Sequence, residues 1–218
     1  MPIYNGIEFI EESVGSILAQ TYNNWELIIG VNGHPENSNV FHTANKYSSA
    51  SGMEQSTNKI RVLDLHHIKG KSNALNEMVK HANYEYIALL DVDDIWLPNK
   101  LAVQQYYMHV YDVIGTMCVY FGDRNCDGPK LPLGDISQFD FFQFNPLINS
   151  STLIRKSLCD WVENGIEDYD MWLRLRKQGK KFYNCYEVVV KHRIHSQSAF
   201  NAQGNSLKVN SLLKYHKQ

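Results

Sequence analysis

Three acids within four residues, Asp91, Asp93 and Asp94, close the apolar run Tyr86-Ile87-Ala88-Leu89-Leu90. The run reads as a buried strand, and Ile95-Trp96-Leu97-Pro98 after it reads as a turn leading to a helix start. Two carboxylates about 4 Å apart repel by roughly 4 kcal/mol at an effective dielectric of 20. Folding alone has no reason to gather them at the end of a buried strand. A divalent cation removes the penalty, and oxygen ligands suit Mn2+ or Mg2+. Asp91 and Asp93 are therefore candidates to hold a metal that in turn holds phosphates. The plainer alternative makes Asp91 a turn cap and lets Asp93 and Asp94 begin the next helix. A second acidic group, Glu167-Asp168-Tyr169-Asp170, opens an apparent helix. Acids in a first helical turn complement the helix dipole, so on residues alone structural and chemical roles stand level there.

Other suggestive patterns fail. Gly70-Lys71-Ser72 resembles the end of a phosphate loop, but Leu65 stands where that loop needs its first glycine. Asp91-Val92-Asp93 begins like a calcium loop, yet Ile95, Trp96 and Ala102 occupy the later ligand, glycine and glutamate positions. GxGxxG and GxSxG are absent, and His66-His67 has no partners at metal-ligand spacing, so it reads as a strand-end surface pair.

The elements that must position the acids alternate in type, which predicts α/β architecture with a largely parallel sheet. Phe9, Ile10, Val14, Ile17 and Leu18 share one helical face over residues 8–20. Strands are expected at 25–31, 60–65, 86–90, 117–121 and 182–194, and helices at 40–47, 72–82, 98–110, 167–178 and 206–216. Gly179 stops the helix at 167–178. Segments 48–58 and 126–138 read as loops. The chain opens on Met1-Pro2-Ile3-Tyr4-Asn5-Gly6, so its first strand is very short or is entered part-way.

The chain has 218 residues, 44% hydrophobic and 20% charged, which suits one globular domain. A formal net charge of −2 and the lack of a Lys/Arg stripe give no reason to expect nucleic acid. The apolar stretches are too short to span a bilayer. Cys118, Cys126, Cys159 and Cys185 form no CxxC pair and read as reduced thiols. With no secretory leader in view, the expected setting is cytoplasmic, possible peripheral association with a membrane included. The glycosylation-like Asn149-Ser150-Ser151 then reads as ordinary polar chain.

Taken in order, several segments resemble the family 2 glycosyltransferases. They are Pro2-Ile3-Tyr4-Asn5-Gly6, Ser16-Ile17-Leu18-Ala19-Gln20-Thr21-Tyr22, Trp25-Glu26-Leu27-Ile28-Ile29 and Gly70-Lys71-Ser72-Asn73-Ala74-Leu75-Asn76. Further on come Leu90-Asp91-Val92-Asp93-Asp94-Ile95-Trp96-Leu97-Pro98, Asn145-Pro146 with Ser150-Ser151, and Glu167-Asp168-Tyr169-Asp170-Met171-Trp172-Leu173-Arg174-Leu175. The resemblance implies a GT-A type fold, a Rossmann-like, mostly parallel sheet flanked by helices, with a smaller acceptor-side β/helix region. One domain over 1–218 would have a nucleotide-sugar half at 1–100 and an acceptor half at 101–218.

It implies a nucleotide-diphospho-sugar donor, a UDP-sugar foremost, and a hydroxyl acceptor on a glycan or glycoconjugate. Pro2, Tyr4, Asn32, Lys71, Asp91, Val92 and Asp93 would line the donor site. Asn32 stands where relatives carry an acid, and Asn both donates and accepts. Asp91, Asp93 and His195 would hold the metal, Mn2+ or Mg2+. Asp168 would be the base of an inverting reaction, with Glu167 and Asp170 binding acceptor hydroxyls, while Trp172 and Leu173 pack inward. A sugar-1-phosphate nucleotidyltransferase would need a glycine-rich basic loop after the first strand, and Tyr4-Asn5-Gly6-Ile7-Glu8 is not one. A non-catalytic sugar-binding scaffold is disfavoured by the presence together of Asp91, Asp93 and Asp168.

Overall fold

Two sheets carry the acids. A computed structural model of the chain describes residues 1–48, 59–164, 166–196 and 205–217. In the first sheet β1 (Pro2–Ile3), β2 (Leu27–Asn32) and β3 (Ile60–Leu65) lie side by side, all parallel, in the order β1-β2-β3. Helix α1 (Ile10–Leu18) buries Ile10, Val14 and Ile17 as its apolar spacing requires. Helix α2 (Asn39–Asn45) is capped by Ser38, whose hydroxyl accepts from Phe41 N at 3.2 Å. Helix α3 (Lys71–Lys80) follows β3, with Leu75 and Met78 buried. Apart from Ser48, the polar loop expected at 48–58 lies outside the described residues.

The second sheet is mixed. Its strands are β4 (Tyr86–Ala88), β5 (Ile95–Trp96), β6 (Val113–Gly122), β7 (Cys126–Asp127), β8 (Gly134–Asp135), β9 (Leu153–Arg155) and β10 (Phe182–Ile194). The main path runs β4-β9-β6-β10-β5, with β7 on β6 and β8 on β10. Strand β10 is the longest and pairs parallel with β6, apart from two irregularities near Val188. Helix α4 (Lys100–Gln104) is followed by a 3-10 turn at Gln105–Tyr107, shorter together than the helix expected at 98–110. Helix α5 (Glu167–Lys177) ends at Gly179, where φ is 72°, a conformation glycine adopts without a Cβ penalty. Trp172 and Leu173 are buried as expected, and α6 (Asn205–His216) packs near α5.

The segment after the acids departs from expectation. Instead of a helix start, Ile95–Trp96 forms a strand antiparallel to β10, with Val190 opposite Trp96 and Lys191 opposite Ile95. Two residues carry no periodicity, so nothing local announces this pairing. Gln20 at the end of α1 anchors the region: its amide nitrogen donates to Leu97 O at 2.8 Å and its oxygen accepts from Leu101 N at 3.0 Å. The pairing sets the turn at 91–94 beside residues 192–195. Strand β9 was also unexpected; it places the 3-10 turn Asn149–Ser151 next to Asp91. The 126–138 segment contains the two short strands β7 and β8 rather than loop alone.

Candidate functional site

The site forms where the chain leaves β1, β2 and β4 and where α3 and α5 begin, outside the carboxyl ends of the strands. Lys71 opens α3. Its Nζ stands 2.9 Å from Asp91 Oδ1 and 3.4 Å from Glu167 Oε1 in the first turn of α5. Burial works against the ammonium, but Asp91 and Glu167 outweigh it and hold Lys71 above its ordinary value. Burial would likewise raise the Asp91 carboxyl; the Lys71 charge and hydrogen bond prevail and hold it below the usual range. Asn149 Nδ2 donates to Asp91 Oδ2 at 2.9 Å, and the Ser150 hydroxyl accepts from Asp91 N at 3.1 Å.

Asp93 faces another way. Its Oδ2 lies 3.0 Å from His195 Nε2. Burial raises the Asp93 carboxyl, and the neighbouring charges of Asp91 and Asp94 raise it further. The His195 ring rests 5.2 Å from that of Phe9. Arg193 Nε donates to Asp93 O at 2.8 Å while its guanidinium lies between the rings of Phe9 and Phe121. Asp94, fully buried, is structural: it accepts from Arg193 N at 2.8 Å and pairs with His192 Nδ1 at 3.0 Å. These bonds tie the acidic turn to β10.

Asp168 follows Glu167 in α5. Burial raises its carboxyl, the Glu167 charge adds to this, and Asn145 Nδ2 donates to its Oδ2 at 3.2 Å. Asp91, Asp168, Glu167 and Lys71 are thus one cluster. Asp170 is not part of it. Buried, it accepts from Arg174 Nε at 2.8 Å and meets His216 Nε2 at 2.8 Å, which binds α6 to α5. Glu167 is engaged by Lys71 rather than left free for an acceptor.

On the base side, Tyr4 is exposed and its ring lies flat on the Gly33 backbone, where a Cβ would come within 2.4 Å of it. Its carbonyl lies 2.6 Å from His34 Nε2. Asn32, buried at the end of β2, donates from Nδ2 to Gly70 O at 3.3 Å. Pro2 lies half-buried in β1, and Val92 is buried in the core against Gly6. The residues that the sequence left without a role are Asn145, Asn149, Ser150, His192 and Arg193. Their signal lies in partners roughly 20 to 100 positions away, which no local pattern carries.

Among the described residues no group of three His, Cys, Asp or Glu side chains is placed to hold a metal ion. Asp93 and His195 form a two-residue oxygen and nitrogen pair, while Asp91 is turned to Lys71 and Asn149. That donor set fits a cation completed by phosphate oxygens and water, the usual arrangement for Mg2+ at phosphates. The elevated Asp93 carboxyl is what an adjacent cation would relieve.

A family model described as glycosyl transferase family 2 matches residues 1–157. The chain belongs to glycosyl transferase family 2. A relative in Escherichia coli, the UDP-Glc:alpha-D-GlcNAc-diphosphoundecaprenol beta-1,3-glucosyltransferase WfgD, is 27% identical over 95% of this chain and 81% of its own length. Among solved structures, Staphylococcus aureus TarS in complex with UDP-GlcNAc superposes with a TM-score of 0.72 at 14% identity, covering 99% of this chain. The mannosyltransferase PcManGT from Pyrobaculum calidifontis, in complex with GDP-Man and Mn2+, gives 0.67 at 15% identity over 91% of this chain. This glycosyltransferase therefore has the GT-A fold. The chain spans 64% and 56% of those two solved chains.

Proposed function

We propose that the chain transfers a sugar, with inversion, from a UDP-sugar to a hydroxyl of a glycan or glycoconjugate acceptor, using Mn2+ or Mg2+. The observation that carries this reading is the meeting of Lys71, Asp91, Glu167 and Asp168, with Asp93 and His195 beside them, at the carboxyl ends of the strands. One ammonium there faces four carboxylates, Asp91, Asp93, Glu167 and Asp168. A donor diphosphate adds more negative charge, so the site calls for a cation. When bound, that cation supplies Lewis acidity that stabilises the departing nucleoside diphosphate.

The chain's own residues do the rest. Tyr4 stacks on the base, and Asn32 keeps its Oδ1 to accept from a base N–H once Nδ2 serves Gly70. Lys71 and the start of α3 favour the diphosphate. Asp93 and His195 would hold the ion. Asp168 takes the proton of the attacking hydroxyl, a task made easier by a raised carboxyl value, and Asn145 keeps its side chain in position. The UDP preference rests on the donor named for the Escherichia coli relative, and so does an acceptor presented on a lipid at a membrane surface. Among the described residues no helix is long and apolar enough to cross a membrane, so such contact would be peripheral. A panel of UDP-, GDP- and dTDP-sugars, assayed for donor turnover with Mn2+ and with chelator, tests the proposal. UDP-sugars should turn over fastest and only with metal; a clear GDP or dTDP preference, or metal-independent turnover, would overturn it.

A further inference from the structure

Between the two sheets lies a cavity of about 250 Å3 whose walls include Ile28, Met78, Ile87, Leu89, Leu101 and Trp161. It is bounded on two sides by strand edges. Strand β2 pairs with β3 along all six of its residues, from Leu27 to Asn32, but β1 covers only Gly30 and Val31 on its other side. Strand β4 is the end strand of the second sheet.

The alternation of a strand says which backbone groups face the cavity. Leu27 N bonds to Lys59 O, so residues 27, 29 and 31 face β3, and Ile28 and Gly30 face the other way. Leu89 N bonds to Thr152 O and Lys156 N to Glu85 O, so residues 85, 87 and 89 face β9, while Tyr86, Ala88 and Leu90 face the cavity. Two sets of backbone donors and acceptors thus look toward one another across an apolar space, where unmet hydrogen bonds are costly. An alkyl chain fills such a space but satisfies neither edge. A strand does both.

We propose that this cavity is a strand-acceptor site, which takes an extended apolar segment as an added parallel strand between β2 and β4, joined to Met1 as a continuation of β1. The register supports the join. Pro2 pairs with Gly30 and Ile3 with Val31, so the preceding positions run down β2 past Ile28 and Leu27. Met1 O accepts from Gly30 N at 3.0 Å, and the Met1 ammonium already donates to Ile28 O at 3.0 Å in a ladder position. Met1 is only 7% exposed, and burial pushes its ammonium down to about 5. A peptide N–H at that point makes the same bond without burying a charge. A segment of about four residues spans about 13 Å, and with helices on both sheet faces it should be apolar at every position. The filled strand would brace β1, which leads into Tyr4.

The test is to place Val-Ile-Val-Ile before Met1 in one variant and Ser-Asp-Gly-Asp in another, then compare thermal midpoints and amide hydrogen exchange with the parent chain. The apolar extension should raise the midpoint by about 5 °C or more and slow exchange at Ile28, Ala88 and Leu90. The polar extension should do neither. A parent chain that is molten beside a folded apolar variant would support the proposal equally. It is overturned if the two extensions behave alike, or if the apolar one leaves those three amides unprotected. Equal protection of the parent by a dodecyl detergent would also overturn it, since the cavity would then be an alkyl site.

Discussion

Replacing Lys71 with Met keeps the aliphatic stem at the head of α3 and removes only the charge. At 2.9 Å the attraction to Asp91 is about 6 kcal/mol at an effective dielectric of 20. The Lys71 side chain is 39% exposed and that of Asp91 26%, so screening and desolvation reduce the net contribution to about 1–2 kcal/mol. For a chain of this length that lowers the thermal midpoint by about 2–8 °C at pH 7. The pH dependence has a definite sign. The Asp91 carboxyl is depressed in the folded state, so its contribution is present above the ordinary value near 4 and is lost as pH falls through the folded value. Lys71 is raised, so its contribution is present below its ordinary value near 10 and is lost as pH climbs through the folded value. The gap between parent and Lys71→Met should therefore be full from about pH 5 to 9 and close in acid. Differential scanning calorimetry across that range decides it. Equal midpoints at pH 7, or a gap undiminished at pH 3, would refute the reasoning.

Two further predictions follow from the site. His195→Ala should weaken Mn2+ activation by about tenfold, the scale of losing one imidazole ligand, and shift preference toward Mg2+ in a metal titration of turnover. Gly33→Ala forces a Cβ onto the Tyr4 ring at a φ of 76°, so calorimetry should show UDP affinity falling several-fold while the fold survives.

Much of this was readable along the chain, for physical reasons that differ by element. Strands β3 and β10 were expected with the observed bounds because long apolar or alternating runs are bounded by clear turn residues. Strands β5 and β9 were not, since two or three residues gain their identity from partners across the sheet. Asp91, Asp93 and Asp168 stood out because carboxylates ending a strand or starting a helix break the local pattern. Asn149 and Asn145, which hold Asp91 and Asp168, break no pattern at all. For Asp170, the i,i+4 spacing to Arg174 was a visible sign of the structural pairing that the fold uses, and it was read instead as an acceptor contact.

The central claim is that Asp168 removes the acceptor proton while Asp93 serves the donor and its metal. Measuring turnover and donor affinity for Asp168→Asn and Asp93→Asn side by side tests it most directly. Asp168→Asn should lose about 10²–10⁴-fold in turnover with UDP-sugar and Mn2+ affinity nearly unchanged, whereas Asp93→Asn should lose both. An Asp168→Asn enzyme that transfers sugar at nearly the parent rate would contradict the account.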